Sequence, residues 1–272
     1  MKKLILLLPF IWMSCQDVIE LDLPEGDTLL VVDGQITDQP GTTYVLLSES
    51  VPYFTEEGNP PVQGATIELL ENGAVIDTLQ EEAPGFYTSE RIGVLSNEYS
   101  VLITLLDGRT YSSASELLPR VPPIDSLYYR FETDLQFLED GYYAYFATQE
   151  LPGGPEYYRW KYYFNQEYQN TPFDIQIADD EFVDGNYIAD FAVSFDPFEV
   201  NDTVRVEQLS STRSYYEYWT LISTQTAQIG GPFDPPPAPV IGNVKRADGS
   251  GEVVLGFFSA HGLSVAETII VE

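Results

Sequence analysis

From Thr28 to Leu118 the chain never sustains a helical period; it advances in short runs of β-branched, aromatic and leucine residues cut apart by turn signals. The runs fall at residues 29–36, 43–48, 65–70, 74–79, 85–89, 99–106 and 110–115. Strands this short cannot bury a core singly, and at this spacing they pack as two facing sheets. Asn72-Gly73 and Asp107-Gly108 stand between neighbouring runs and offer the positive φ that tight hairpins require. The pattern predicts a mainly β chain that begins, over residues 28–118, with a β-sandwich of the immunoglobulin or prealbumin kind.

Pro119-Arg120-Val121-Pro122-Pro123 is a stiff break, and residues 119–124 read as a linker. A second, aromatic-rich β module is expected over residues 125–272, with strands at 126–132, 142–148, 157–164, 173–177, 187–195, 203–209, 253–258 and 264–271. Residues 157–164 alternate cleanly: Tyr158, Trp160, Tyr162 and Phe164 on one face, Tyr157, Arg159, Lys161 and Tyr163 on the other. One segment breaks the β texture. Ser214 and Glu217 have capping-box spacing, and Tyr215, Tyr218, Ile222, Gln225 and Ile229 recur at helical intervals with Trp219 beside them. A helix of about 214–229, stopped by Gly230-Gly231-Pro232, is expected to pack on the second sheet. Residues 232–239 then read as extended polyproline, with Phe233, Pro235, Pro236 and Pro237 as candidate partner-binding residues.

The first residues carry an address. Lys2-Lys3, the apolar run 4–13 and Ser14 before Cys15 have the layout of a secretory signal over residues 1–14. The run is shorter than the ~20 residues of a membrane-spanning helix. A cysteine directly after the small residue marks a lipoprotein, so Cys15 is the expected lipidation site, followed by an acidic tether over 15–27. Cys15 is the only cysteine in 272 residues, which leaves no disulfide and no thiolate zinc site. With 43 acidic against 12 basic residues the formal charge is −31, which excludes nucleic acid and anionic lipid surfaces as partners.

Candidate chemistry is sparse. His261 is the only histidine, and no Gly-x-Ser-x-Gly elbow accompanies it, so a structural role is expected. No cofactor is expected, calcium excepted: Asp179, Asp180 and Asp184, close to Glu181, Gly185 and Asn186, are candidate oxygen ligands without EF-hand spacing. The tyrosines of the second module read mainly as cross-strand and core pairs. Asp27-Thr28-Leu29, Asp77-Thr78-Leu79, Asp125-Ser126-Leu127 and Asp202-Thr203-Val204 make Thr28, Thr78, Ser126 and Thr203 candidate O-glycosylation sites.

Several short motifs occur in a fixed order: the lipoprotein cysteine and acidic tether, Val31-Val32-Asp33-Gly34, Val62-Gln63-Gly64-Ala65, Gly85-Phe86-Tyr87, Val121-Pro122-Pro123-Ile124-Asp125-Ser126-Leu127, Tyr157-Tyr158-Arg159-Trp160, Tyr218-Trp219, Gly231-Pro232-Phe233, Gly242-Asn243-Val244 and Leu255-Gly256-Phe257-Phe258-Ser259. In this order the chain resembles the Bacteroidota outer-membrane lipoprotein family catalogued as domain of unknown function four-two-four-nine. The resemblance implies an outer-membrane, lipid-anchored protein, facing the cell surface or the periplasm, whose gene typically sits near a TonB-dependent transporter, and it supplies no catalytic residue. The leading expectation is a non-enzymatic accessory lipoprotein that helps such a transporter capture a nutrient. The alternative is a secreted glycan or peptide hydrolase using paired carboxylates.

Overall fold

The computed structural model describes residues 28–52, 58–134, 138–227 and 240–272. Nine strands come first: β1 (Leu30–Thr37), β2 (Thr43–Glu49), β3 (Thr66–Glu71), β4 (Ala74–Thr78), β5 (Gln80–Ala83), β6 (Phe86–Ser89), β7 (Glu98–Thr104), β8 (Thr110–Ser113) and β9 (Glu116–Leu117). Next are β10 (Ile124–Glu132), β11 (Gly141–Gln149), β12 (Tyr157–Phe164), β13 (Glu167–Gln169), β14 (Gln176–Asp179), β15 (Tyr187–Ala192) and β16 (Thr203–Ser211). The helix α1 (Arg213–Thr226) precedes β17 (Val244–Arg246), β18 (Leu255–His261) and β19 (Leu263–Ile269). The protein is mainly β, as its turn spacing predicts.

The first sandwich faces one sheet, in the order β18-β1-β2-β6-β5, with another, β17-β8-β7-β3-β4, whose β7 also carries β9. Alternation does the work: Leu30 and Val32, Val45 and Leu47, Ile67 and Leu69, and Tyr99, Val101 and Ile103 point inward from four strands. Each such aliphatic side chain contributes about 1.5–3 kcal/mol by leaving water. Tyr87, Tyr99 and Tyr111 are also fully buried, and each finds a partner for its hydroxyl, at Val62 O (3.1 Å), Glu71 Oε1 (2.5 Å) and Glu252 Oε1 (2.8 Å). At the β3–β4 hairpin both Asn72 (φ 49°) and Gly73 (φ 81°) are left-handed, as a two-residue turn demands. The other pair differs. Only Gly108 has positive φ (85°), and its N–H closes a wider loop on Leu105 O.

The expected partition at 119–124 needs a correction. β18 pairs in parallel with β1 from Val31↔Leu255 to Thr37↔His261, and β17 pairs with β8. Val244, Val254, Phe258 and Ala260 belong to the first core, so residues 244–261 do not belong to a second module spanning 125–272. A parallel partner reached through a long excursion leaves no local signature, because an apolar run does not encode its address. Gly256 (φ 91°) allows the contact: a Cβ there would lie 1.9 Å from Val32 O.

The second module is also two-layered, with β10-β11-β15 facing β13-β12-β16-β19 and β14 alongside β12. Ala144, Phe146, Tyr158, Trp160, Tyr162, Val204, Val206 and Ile270 form its core. Phe191 lies 4.8 Å from both Phe146 and Trp160, ring centre to ring centre. The strand expected at 173–177 starts later. Thr171 caps a 3-10 turn at Pro172–Asp174, leaving Phe173 exposed, and β14 begins at Gln176. α1 begins earlier than expected: Thr212 is the N-cap, its hydroxyl accepting from Tyr215 N, while Glu217 pairs with Arg213 (2.7 Å) and closes no capping box.

The chain passes between the modules more than once, and most abruptly where β18 leads through Gly262 into β19. Gly262 has no room for a side chain, since a Cβ would lie 2.7 Å from Pro119 O and 3.0 Å from Val121 N. Glu116 on β9 adds a polar tie, accepting from Thr212, from Ser214 (3.0 Å) and from Asn243 (3.3 Å).

Candidate functional site

Arg159 and Lys161 are two apart on β12, so both side chains leave the same face, toward α1 and the first sandwich. They enter a cavity of about 320 Å³ at the junction of the modules. β1 and β2 supply Asp33, Gln35 and Tyr44 to its wall; α1 supplies Tyr215, Trp219 and Ile222. α1 thus packs across both modules, with Tyr215 against Phe257 and His261 of β18, its ring centre 5.4 and 4.6 Å from theirs.

Arg159 is only 6 % exposed. Its Nη1 donates to Tyr215 Oη (2.6 Å), its Nη2 to Tyr168 Oη (3.0 Å), and its Cζ sits 3.3 Å from the centre of the Trp219 ring. Both Arg159 Nε and Trp219 Nε1 are buried without a hydrogen-bond partner among the described residues. Lys161 Nζ donates to Gln35 Oε1 (3.1 Å), which uses one of its three protons. Burial, helped by the Arg159 charge, pushes the Lys161 ammonium down to about 8. No ion pair among the described residues includes either cation. Asp33 is exposed at the cavity, and Asp174 is half-buried there. The cavity is therefore rich in donors at depth and acidic toward solvent.

His261 is fully buried beside this cavity. Its Nδ1 meets Ser210 O (2.7 Å), a carbonyl that can only accept, so Nδ1 carries the proton; Nε2 then accepts from Ser259 Oγ (2.8 Å). Burial pushes the imidazole down to about 3. A serine and a histidine are in contact, yet no carboxylate orients the ring. The arrangement is that of a neutral structural histidine.

The candidate calcium residues are divided by the fold. Asp180 and Asp184 come together, and Glu150 at the end of β11 joins them, one carboxylate oxygen from each lying within 4.8 Å of the others. Asp179 does not take part: its oxygens accept from Glu181 N and Tyr216 Oη (both 3.3 Å). Glu156 abuts the cluster, sharing the Tyr158 hydroxyl with Glu150 at 3.0 and 2.7 Å, and burial together with Glu150 pushes its carboxyl up to about 7. A glycosidase pair stands roughly 5 Å or more apart to admit a sugar; Glu150 and Glu156 instead converge on one Tyr158 hydroxyl.

The remaining candidates stay separate. Thr28, Thr78 and Ser126 are exposed and Thr203 is half-buried. Cys15, the tether and the segment with Phe233, Pro235, Pro236 and Pro237 lie outside the described residues. Sequence reasoning passed over Arg159, Lys161 and Glu150 as site residues. The signal available for the first two was their position among aromatics in mid-strand, on the second face of a strand whose other face is the core.

Together these features define a mainly β protein of two sandwiches with a polar cavity at their junction. Residues 16–265 match the family described as Domain of unknown function (DUF4249), and the chain belongs to that family, as its ordered motifs suggested. No curated protein matches the chain. Among the described residues no helix is long and apolar enough to cross a membrane.

Proposed function

We propose that this protein is a non-enzymatic binding lipoprotein of the Bacteroidota outer membrane, anchored at the cell surface through acylated Cys15, that holds a small organic anion and serves a TonB-dependent transporter in nutrient capture. The observation that carries the reading is a buried Arg159 beside a half-buried Lys161, neither with an ion-pair partner among the described residues, in a cavity of ligand size. Two like charges held together in one cavity repel each other, and a bound carboxylate or phosphate would offset that cost with charge-assisted hydrogen bonds. Spare donors at Arg159 Nε and Trp219 Nε1 point to the same chemistry. Asp33 and Asp174 favour a ligand that enters anion-first and carries a cationic group at its far end.

Purification from the native outer membrane tests this directly. A TonB-dependent transporter should accompany the lipoprotein, and denaturation should release a small anion identifiable by mass spectrometry. Turnover of a glycan or peptide by the purified protein would favour the hydrolase alternative instead. Cys15→Ser should leave the body folded and move it from the membrane to the soluble fraction. Unchanged membrane retention, with no acyl mass on the N-terminal peptide, would refute the anchor.

A further inference from the structure

Glu150 and Asp180 are 1 % and 3 % exposed, and none of the ion pairs among the described residues reaches either of them or Asp184. Buried carboxylates are ordinarily paired or bound to a metal. The local chain is arranged around these acids. Glu150 Oε2 accepts from Gly185 N (2.7 Å), Asp184 Oδ1 from Gly153 N (2.9 Å) and Asp180 Oδ1 from Glu156 N (3.0 Å). That accounting leaves Asp180 Oδ2, a fully buried atom with no hydrogen-bond partner among the described residues. A carboxylate oxygen held dry and unpartnered, within a triangle of acids, lacks a positive charge.

We propose that Glu150, Asp180 and Asp184 form a calcium site that ties the loop between β14 and β15 to the end of β11. The donor set is all hard oxygen, which selects calcium or magnesium over softer metals. The ligand oxygens all lie within 4.8 Å of one another, inside calcium's reach, and three protein carboxylates on one ion suit calcium better than magnesium, which is usually held by one or two and keeps several waters. Adjoining Asp180 and Asp184 is a groove of about 340 Å³, lined also by Gly154 and Tyr157, which gives the ion and its remaining waters a route in. With no disulfide available, such an ion would serve as the staple for a loop that presents the exposed Phe182.

Isothermal titration with calcium chloride, in buffer of near-physiological salt, tests the site on the whole lipid-free chain. One equivalent should bind with a dissociation constant of order 10⁻⁵–10⁻³ M, and calcium should raise the melting temperature over that in EDTA. Asp180→Asn should weaken binding at least tenfold and melt higher than wild type in EDTA, because it removes the uncompensated charge. Asp179→Asn, just outside the triangle, should change affinity less than twofold. Should Asp180→Asn fail to fold, Glu150→Gln serves in its place with the same expectation. Absence of one-equivalent binding by the wild type at 5 mM calcium would overturn the proposal. Equal weakening by Asp179→Asn and Asp180→Asn would also overturn it, since that reports diffuse attraction to an acidic surface.

Discussion

His261→Ala should destabilise the protein by about 3–5 kcal/mol, measured by denaturant unfolding at neutral pH. The ring fills the joint where β18 passes into β19, edge-on to Tyr215 at 4.6 Å, and it bonds one carbonyl from β16 and one hydroxyl from its own strand. Alanine would leave a buried void together with an unpaired Ser210 carbonyl. The imidazole also fixes the sign of an acid effect. Its folded-state pKa, near 3, lies below the unfolded value of about 6.5. The unfolded chain thus binds the extra proton first, and the stability His261 confers is complete above pH ~6.5 and drains away as pH falls toward 3. His261→Gln should flatten that part of the pH profile while retaining more stability than His261→Ala. A variant as stable as wild type with an unaltered acid limb would remove His261 from the joint.

How much of this was legible beforehand depended on the range of the interaction. The strands of the first sandwich were readable because inward and outward positions alternate within a few residues, and Asn72-Gly73 announces its own turn. α1 was readable in type but not in start, since Ser214-Tyr215-Tyr216-Glu217 carries a valid capping pattern, yet Thr212 caps the helix and Glu217 turns to Arg213 instead. What could not be read was who sits beside whom. The run ending in His261 looks like an ordinary strand of the second module, yet its partner is β1, more than two hundred residues earlier. The candidate sites failed or succeeded for the same reason. Asp180 and Asp184 are near neighbours in sequence and could be nominated together; Glu150 reaches them only through the pairing of β11 with β15. Likewise Arg159 and Lys161 become a site only when the first sandwich and α1 close over the outer face of β12.

Arg159→Met should weaken anion binding at least about thirtyfold while leaving the fold intact. Methionine matches much of the arginine stem in volume and can lie against Trp219, and replacing a buried unpaired cation with an apolar side chain is often neutral or stabilising. The Tyr215 and Tyr168 hydroxyls lose their donor, so the melting temperature of the ligand-free variant should fall only modestly. Binding is another matter. Removing one partner of a buried, hydrogen-bonded charge pair costs roughly 2–5 kcal/mol, which is a loss of about thirtyfold to several thousandfold in affinity. The measurement is a thermal-shift screen of amino acids, hydroxy acids and sugar phosphates against wild type and variant, followed by titration of whichever compound shifts the wild type most. Lys161 supplies an independent arm. Because its ammonium loses its proton near pH 8 in the ligand-free protein, affinity should hold from pH 6 to 7 and fall as pH rises through 8. Lys161→Met should bind more weakly than wild type and lose that dependence. If Arg159→Met retained full affinity, or if the best ligand were neutral and its binding flat across pH 8, the two cations would have no part in recognition, and the cavity would have to be explained by the packing of α1 alone.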